Sequence, residues 1–320
     1  MGMSSILLGL AFGDCYGLEY EMLWPSPRYY WLDERELCYG CVEDRRRGLC
    51  LYSDDTEMSI ALGEYLLEVR GFSEEGLARF FVRRLGTDVR ERFYSLAMKM
   101  FVDHVRSGGR WYGFALSAYG PNLLDDPSPV VRAATITISS RSDEACLELA
   151  ARQAATTHGF RPAVEGAMAF ALVLKRLIEG SPPLLAIEEV LDLRLWSPCL
   201  REAVTKALEL VDDLPHRVVE ELSSLPKCLQ CLATAIIAFI RSGGRGDRAL
   251  AASISMGGDV DTRAAIACSM VAAHRGLDAF PRDRVMKIEH CWYIRGLGER
   301  LWRLRDEGVL DRLVRRRLRS

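Results

Sequence analysis

The sequence predicts an all-α protein. Two observations carry that expectation: apolar residues recur at helical steps along most of the chain, and few segments alternate with period two for long enough to make a strand.

Taken in order, the apolar run at residues 6–12 is too short to span a bilayer and follows no basic residue, so it reads as a buried helix rather than a signal peptide. Met58, Leu62, Tyr65, Leu66 and Val69 follow steps of three and four and predict the next clear helix. Residues 163–177, 225–240 and 262–273 behave alike. Turn chemistry marks the connections 25–49, 120–129, 180–183 and 242–246. None has the look of an interdomain linker and no repeat recurs at a fixed period, so residues 1–320 read as one domain. At the end, Arg312, Arg315, Arg316, Arg317 and Arg319 read as the solvated face of a last helix; an alternative use for them is contact with nucleic acid.

A chain of 320 residues can bury a sizeable core, and 49% hydrophobic with 27% charged residues describes a soluble globular protein. The net charge of −2 gives no global basic field to recruit nucleic acid or membrane, and the expected location is the cytoplasm. All but five of the 42 basic residues are arginine, and Asn122, Gln153 and Gln230 are the only side-chain amides. That bias points to a thermophile, with genome composition as the competing source of the lysine scarcity. It leaves the ten cysteines open: Cys38-x-x-Cys41 with Cys50, and Cys228-x-x-Cys231, have partial zinc-ligand spacing but suit thiols or a disulfide as well.

Two acidic clusters stand out, Ser53-Asp54-Asp55-Thr56 and Gly258-Asp259-Val260-Asp261-Thr262. Each sets two carboxylates and a hydroxyl in one turn, where the carboxylates repel unless a cation sits between them. Hard oxygen ligands of this kind suit Mg²⁺, Mn²⁺ or Ca²⁺ rather than zinc. Ser53 and Asp259 are also good N-cap residues, so the plain alternative for each cluster is an acidic helix start. If the clusters meet in space, they make a metal site.

Around these clusters the sequence resembles the ADP-ribosylglycohydrolase family. Gly13-Asp14-Cys15-Tyr16-Gly17-Leu18-Glu19-Tyr20-Glu21 resembles the family's opening Gly-Asp…Gly…Glu segment, 53–57 its Thr-Asp-Asp-Thr motif and 257–262 its Gly-Gly-Asp-x-Asp-Thr motif, in matching order across nearly the whole chain. The resemblance implies a compact multi-helix domain with a central cleft holding two divalent cations, Mg²⁺ first and Mn²⁺ second. Carried over, the ligands are Glu21, Ser53, Asp54, Asp55, Asp259, Asp261 and Thr262, with Ser53 in place of the usual threonine. Glu19 competes with Glu21, whose spacing from Gly13 fits the family better. Asp14 is expected to orient ligands rather than bind metal. Gly257 and Gly258 would let the backbone approach a ligand, and His158 resembles the family's histidine beside the bound sugar or phosphates.

The implied activity is hydrolysis of an N- or O-glycosidic bond at the anomeric carbon of an ADP-ribosyl-like group on a protein, nucleic acid or small molecule. Glu21 or Asp55 would accept the proton of water. The alternatives are a non-catalytic ADP-ribose-binding relative, against which the complete carboxylate set argues, and a nucleic-acid-associated protein. One segment departs from the family: where a glycine-rich phosphate cradle is usual, this chain reads Asp125-Asp126-Pro127-Ser128-Pro129-Val130-Val131-Arg132. Two prolines remove amide donors and two aspartates add charge repulsive to phosphate, so weak ADP-ribose binding is the expectation.

Overall fold

A computed structural model describes residues 5–44, 48–85, 92–116 and 121–318. It is helical almost throughout; among the described residues the sheet is one antiparallel pair, Glu43–Asp44 with Leu49–Cys50, in which Glu43 opposes Cys50. The expected helices are present as Asp54–Val69, Arg161–Ile178, Lys227–Arg241 and Val260–Arg275; three are longer than their apolar stripes, while Lys227–Arg241 starts two residues later than its stripe at 225–240. The connection at 120–129 is less loop than expected, because a short helix Pro121–Leu124 lies within it; Gly120 falls outside the described residues.

Two helices form the axis. Ile6–Leu23 is buried over most of its surface and runs antiparallel to Val260–Arg275: Gly9 faces Ala272, Gly13 faces Ala264 and Gly17 faces Asp261. A Cβ at Gly13 would overlap the Ala264 carbonyl, and one at Gly17 would come 2.6 Å from Asp261 Cα. Glycine at these steps therefore sets the distance between the helices. It brings the start of the chain against the second acidic cluster.

Ser128–Ser139, also buried along its length, and Arg161–Ile178 pack beside this axis, and Lys227–Arg241 and Gly246–Ser255 close the other side. Their apolar faces join one contiguous hydrophobic core. Cys41 and Cys50 form a disulfide beside the strand pair, Cys38 is an exposed thiol, and Cys228 and Cys231 are buried thiols on the Lys227 helix. Among the described residues no helix is long and apolar enough to cross a membrane. Of the terminal arginines, Arg312, Arg315, Arg316 and Arg317 lie on Val309–Arg317, where Arg317 pairs with Glu148 at 3.4 Å; Arg319 lies outside the described residues.

Candidate metal centre

Asp14 organises the first acidic cluster from the neighbouring helix. Buried completely, its carboxylate accepts hydrogen bonds from Ser53 N at 2.9 Å, Thr56 N at 3.0 Å and Thr56 Oγ1 at 2.5 Å. The two amides are donors that a helix start leaves unsatisfied, and a buried anion there is favoured by the helix dipole. The Ser53 hydroxyl caps the same turn, accepting from Asp55 N at 3.3 Å. Asp54 and Asp55 are thus free of capping duty and line the cleft. Oδ2 of Asp55 is buried with no hydrogen-bond partner among the described residues.

At the second cluster, Asp259 occupies the N-cap position of Val260–Arg275, yet its side chain makes no capping bond. The turn before it needs two left-handed residues, which glycine supplies: Gly257 at φ +61° and Gly258 at φ +66°. Gly257 lies against the Ser26 backbone, where a Cβ would collide, while Gly258 N donates to Pro25 O at 2.8 Å. Arg263 fastens the turn from beneath, donating to Gly257 O at 2.6 Å and Ser253 O at 3.0 Å.

The glycine-spaced helix contact then joins the clusters. Glu21, Asp259 and Asp261 each place a carboxylate oxygen within 4.8 Å of the others. All three line one cleft of about 280 Å³ with Asp54, Asp55 and Thr262, and no basic residue is among its described lining. Burial raises the carboxyl groups of Asp54, Asp55 and Asp261 well above the usual range, and neighbouring acids add to it: Asp126 at Asp54, Asp54 at Asp55, Glu21 at Asp261. Burial also raises Glu21, against a hydrogen bond with Asp261. Buried like charges with an unpartnered oxygen and only oxygen donors fit one or two hard divalent cations.

The remaining sequence-predicted residues are distributed around this centre. Ser53 and Asp14 lie beneath it, and Gly257 and Gly258 form the turn behind Asp259. Glu19 points elsewhere, its carboxyl group packed against Gly40. His158 is fully buried, with Nε2 3.8 Å from Asp126 Oδ2, so Asp126 stands between it and the cleft. The two aspartates of the departing segment have different duties. Asp125 caps Lys227–Arg241, accepting from Lys227 N at 2.7 Å and Cys228 N at 3.0 Å, and is not a lining residue. Of the two aspartates expected to repel phosphate, only Asp126 lines the cleft. Ser95 and Ser128 also line the cleft and were missed; the Asp-x-Ser spacing of Asp126 and Ser128, a local turn signal, was the available clue to one of them.

Comparison with known proteins gives a consistent result. The family model described as ADP-ribosylglycohydrolase matches residues 4–311. The protein named ADP-ribosylhydrolase ARH3 of Danio rerio is 26% identical over 339 residues, covering 93% of this chain and 89% of its own; that of Xenopus tropicalis is 24% identical, covering 93% and 94%. A solved structure titled "ADP-ribosylglycohydrolase-related protein complex" superposes with a TM-score of 0.67 at 24% identity, covering 95% of this chain and 97% of that one.

Proposed function

The chain belongs to the ADP-ribosylglycohydrolase family, and we propose that within it this protein is a metal-dependent hydrolase that cleaves the glycosidic bond of an ADP-ribosyl or related ribosyl group. The observation that carries this reading is the convergence of Glu21, Asp259 and Asp261 from opposite ends of the chain, beside Asp54 and Asp55, in one cleft. Two divalent cations, Mg²⁺ or Mn²⁺, would be held by these five carboxylates with Ser53 and Thr262 nearby. When bound, they supply fixed positive charge that orients sugar hydroxyls and acidifies water.

The chain's own residues do the rest. Thr262 and Asp14 fix the two clusters, so the carboxylates are placed before a ligand arrives and little reorganisation remains. Leu18, Met22 and Phe93 give the cleft an apolar rim that limits water around the bound sugar. Of the two proton acceptors left open by the sequence, Glu21 is the better placed: it is half-buried beside the exposed Met22, whereas Asp55 is buried. Glu21 takes the proton of the attacking water and the bond to the anomeric carbon breaks toward the leaving group.

The test is release of ADP-ribose from ADP-ribosylated arginine, serine and nucleic acid and from O-acetyl-ADP-ribose, each with Mg²⁺ or Mn²⁺. Turnover of at least one, abolished in Asp261→Asn, is the expected result. No turnover of any substrate, with no metal-dependent binding of ADP-ribose, would overturn the reading.

A further inference from the structure

One carboxylate in the cleft lies outside the cation-holding set. Asp126 comes from the turn before Ser128–Ser139, lines the same cleft and is the strongest neighbouring charge acting on Asp54. Its Oδ1 accepts from Ser128 N at 2.8 Å and from the Ser128 hydroxyl. Its Oδ2 faces Nε2 of His158.

The state of that histidine follows from what stands behind it. Arg132, fully buried, donates through Nη2 to Thr157 Oγ1. Thr157 Oγ1 in turn lies 2.8 Å from His158 Nδ1. Arginine can only donate, so the hydroxyl accepts from it and has its own hydrogen to give to Nδ1. Nδ1 is then the acceptor and the ring hydrogen sits on Nε2, which faces Asp126 and has no hydrogen-bond partner among the described residues. Burial lowers His158 to about 4, so the donor aimed at Asp126 is a neutral ring. Asp126 thus has donors at both oxygens, the Ser128 amide and hydroxyl at Oδ1 and the His158 ring N–H facing Oδ2, and these favour its anion.

The acids proposed to hold cations would have their charge offset by them; Asp126, outside that set, would not. Resting on the hydrolase reading above, we propose that Asp126 is the free anion that stabilises the positive charge growing on the ribose ring as the glycosidic bond breaks, and that His158, Thr157 and Arg132 are positioning residues acting through it. In that step the bonding pair leaves with the departing atom, the anomeric carbon and ring oxygen share the positive charge, and water closes the carbon with loss of a proton. Such an interaction exists in the transition state and not in the bound substrate, so it acts on kcat rather than KM.

Asp126→Asn keeps the size of the side chain and an oxygen for the Ser128 bonds. It should lower kcat about a hundredfold with little change in KM, while Mn²⁺ affinity and Mn²⁺-dependent ADP-ribose affinity, measured by calorimetry, are undiminished. His158→Gln, which retains an N–H donor, should keep more kcat than His158→Leu, again with Mn²⁺ affinity unchanged. A kcat for Asp126→Asn within about threefold of wild type, or loss of Mn²⁺ binding in that variant, overturns the assignment while leaving the hydrolase reading intact. Failure of the wild-type protein to turn over any substrate overturns both.

Discussion

Asp14 never meets solvent, yet it decides where Asp54 and Asp55 point, because three donors of the Ser53–Thr56 turn converge on its two oxygens. Asp14→Asn replaces one acceptor by an amide that faces donors. The expected result is a stability loss of about 1–3 kcal/mol in urea unfolding and a fall in Mn²⁺ affinity of about tenfold to a hundredfold by calorimetry. Asp125→Ala should behave differently: it removes a helix cap, costing about 1 kcal/mol, and leaves ADP-ribose affinity unchanged. At this scale the sequence was legible where chemistry is local. Glu21 could be preferred to Glu19 from its step along the Gly13 helix, and the structure turns Glu19 toward Gly40. The link between Asp126 and His158 was not legible, because no local pattern joins residues that only the packing of Ser128–Ser139 against Asp143–Thr157 brings within 3.8 Å.

The antiparallel contact of Ile6–Leu23 with Val260–Arg275 is the element that makes one site from two motifs. Gly17→Ala would place a methyl 2.6 Å from Asp261 Cα and force the helices apart at the proposed ligands. Overpacking of this kind costs about 1–3 kcal/mol, and Mn²⁺ affinity should fall more than tenfold, measured on the same sample. Gly63→Ala is the control: its Cβ would meet only the movable Leu301 and Leu297 side-chain ends, at 3.1 and 3.3 Å, and Ala favours the helix. Its stability should stay within about 1 kcal/mol of wild type. Helix positions were readable from apolar periodicity, and the N-cap residues from composition. That Ser53 caps while Asp259 leaves its carboxylate free was not, since both residues are good caps and only the turn at Gly257 and Gly258 distinguishes them.

Across the whole molecule the proposed centre would couple cation binding to folding, because the carboxylates of its cleft come from both ends of the chain. The sign of the pH dependence follows from the raised carboxyl groups of Asp54, Asp55 and Asp261. A carboxyl raised in the folded state contributes stability that is present below its ordinary range and is lost as pH rises through the raised value. The cation-free protein should therefore weaken as pH rises above the ordinary carboxylate range, and Mn²⁺ should raise the unfolding temperature more at higher pH than at lower. At a hundredfold excess over Kd the cation adds about 2.7 kcal/mol. The all-α class and the chain order of the motifs were visible in the sequence; the disulfide between Cys41 and Cys50 was one of several open readings, because spacing alone does not choose among thiols, disulfide and zinc.

The most direct test of the central claim is a calorimetric titration of Mn²⁺ into three proteins: wild type, Asp55→Asn from the first cluster and Asp261→Asn from the second. If one centre joins both ends of the chain, the wild type binds and both variants lose that binding while remaining folded, along with the rise in unfolding temperature that Mn²⁺ gives the wild type. Wild-type Mn²⁺ affinity in either variant would contradict the account, since that cluster would then be no more than an acidic helix start.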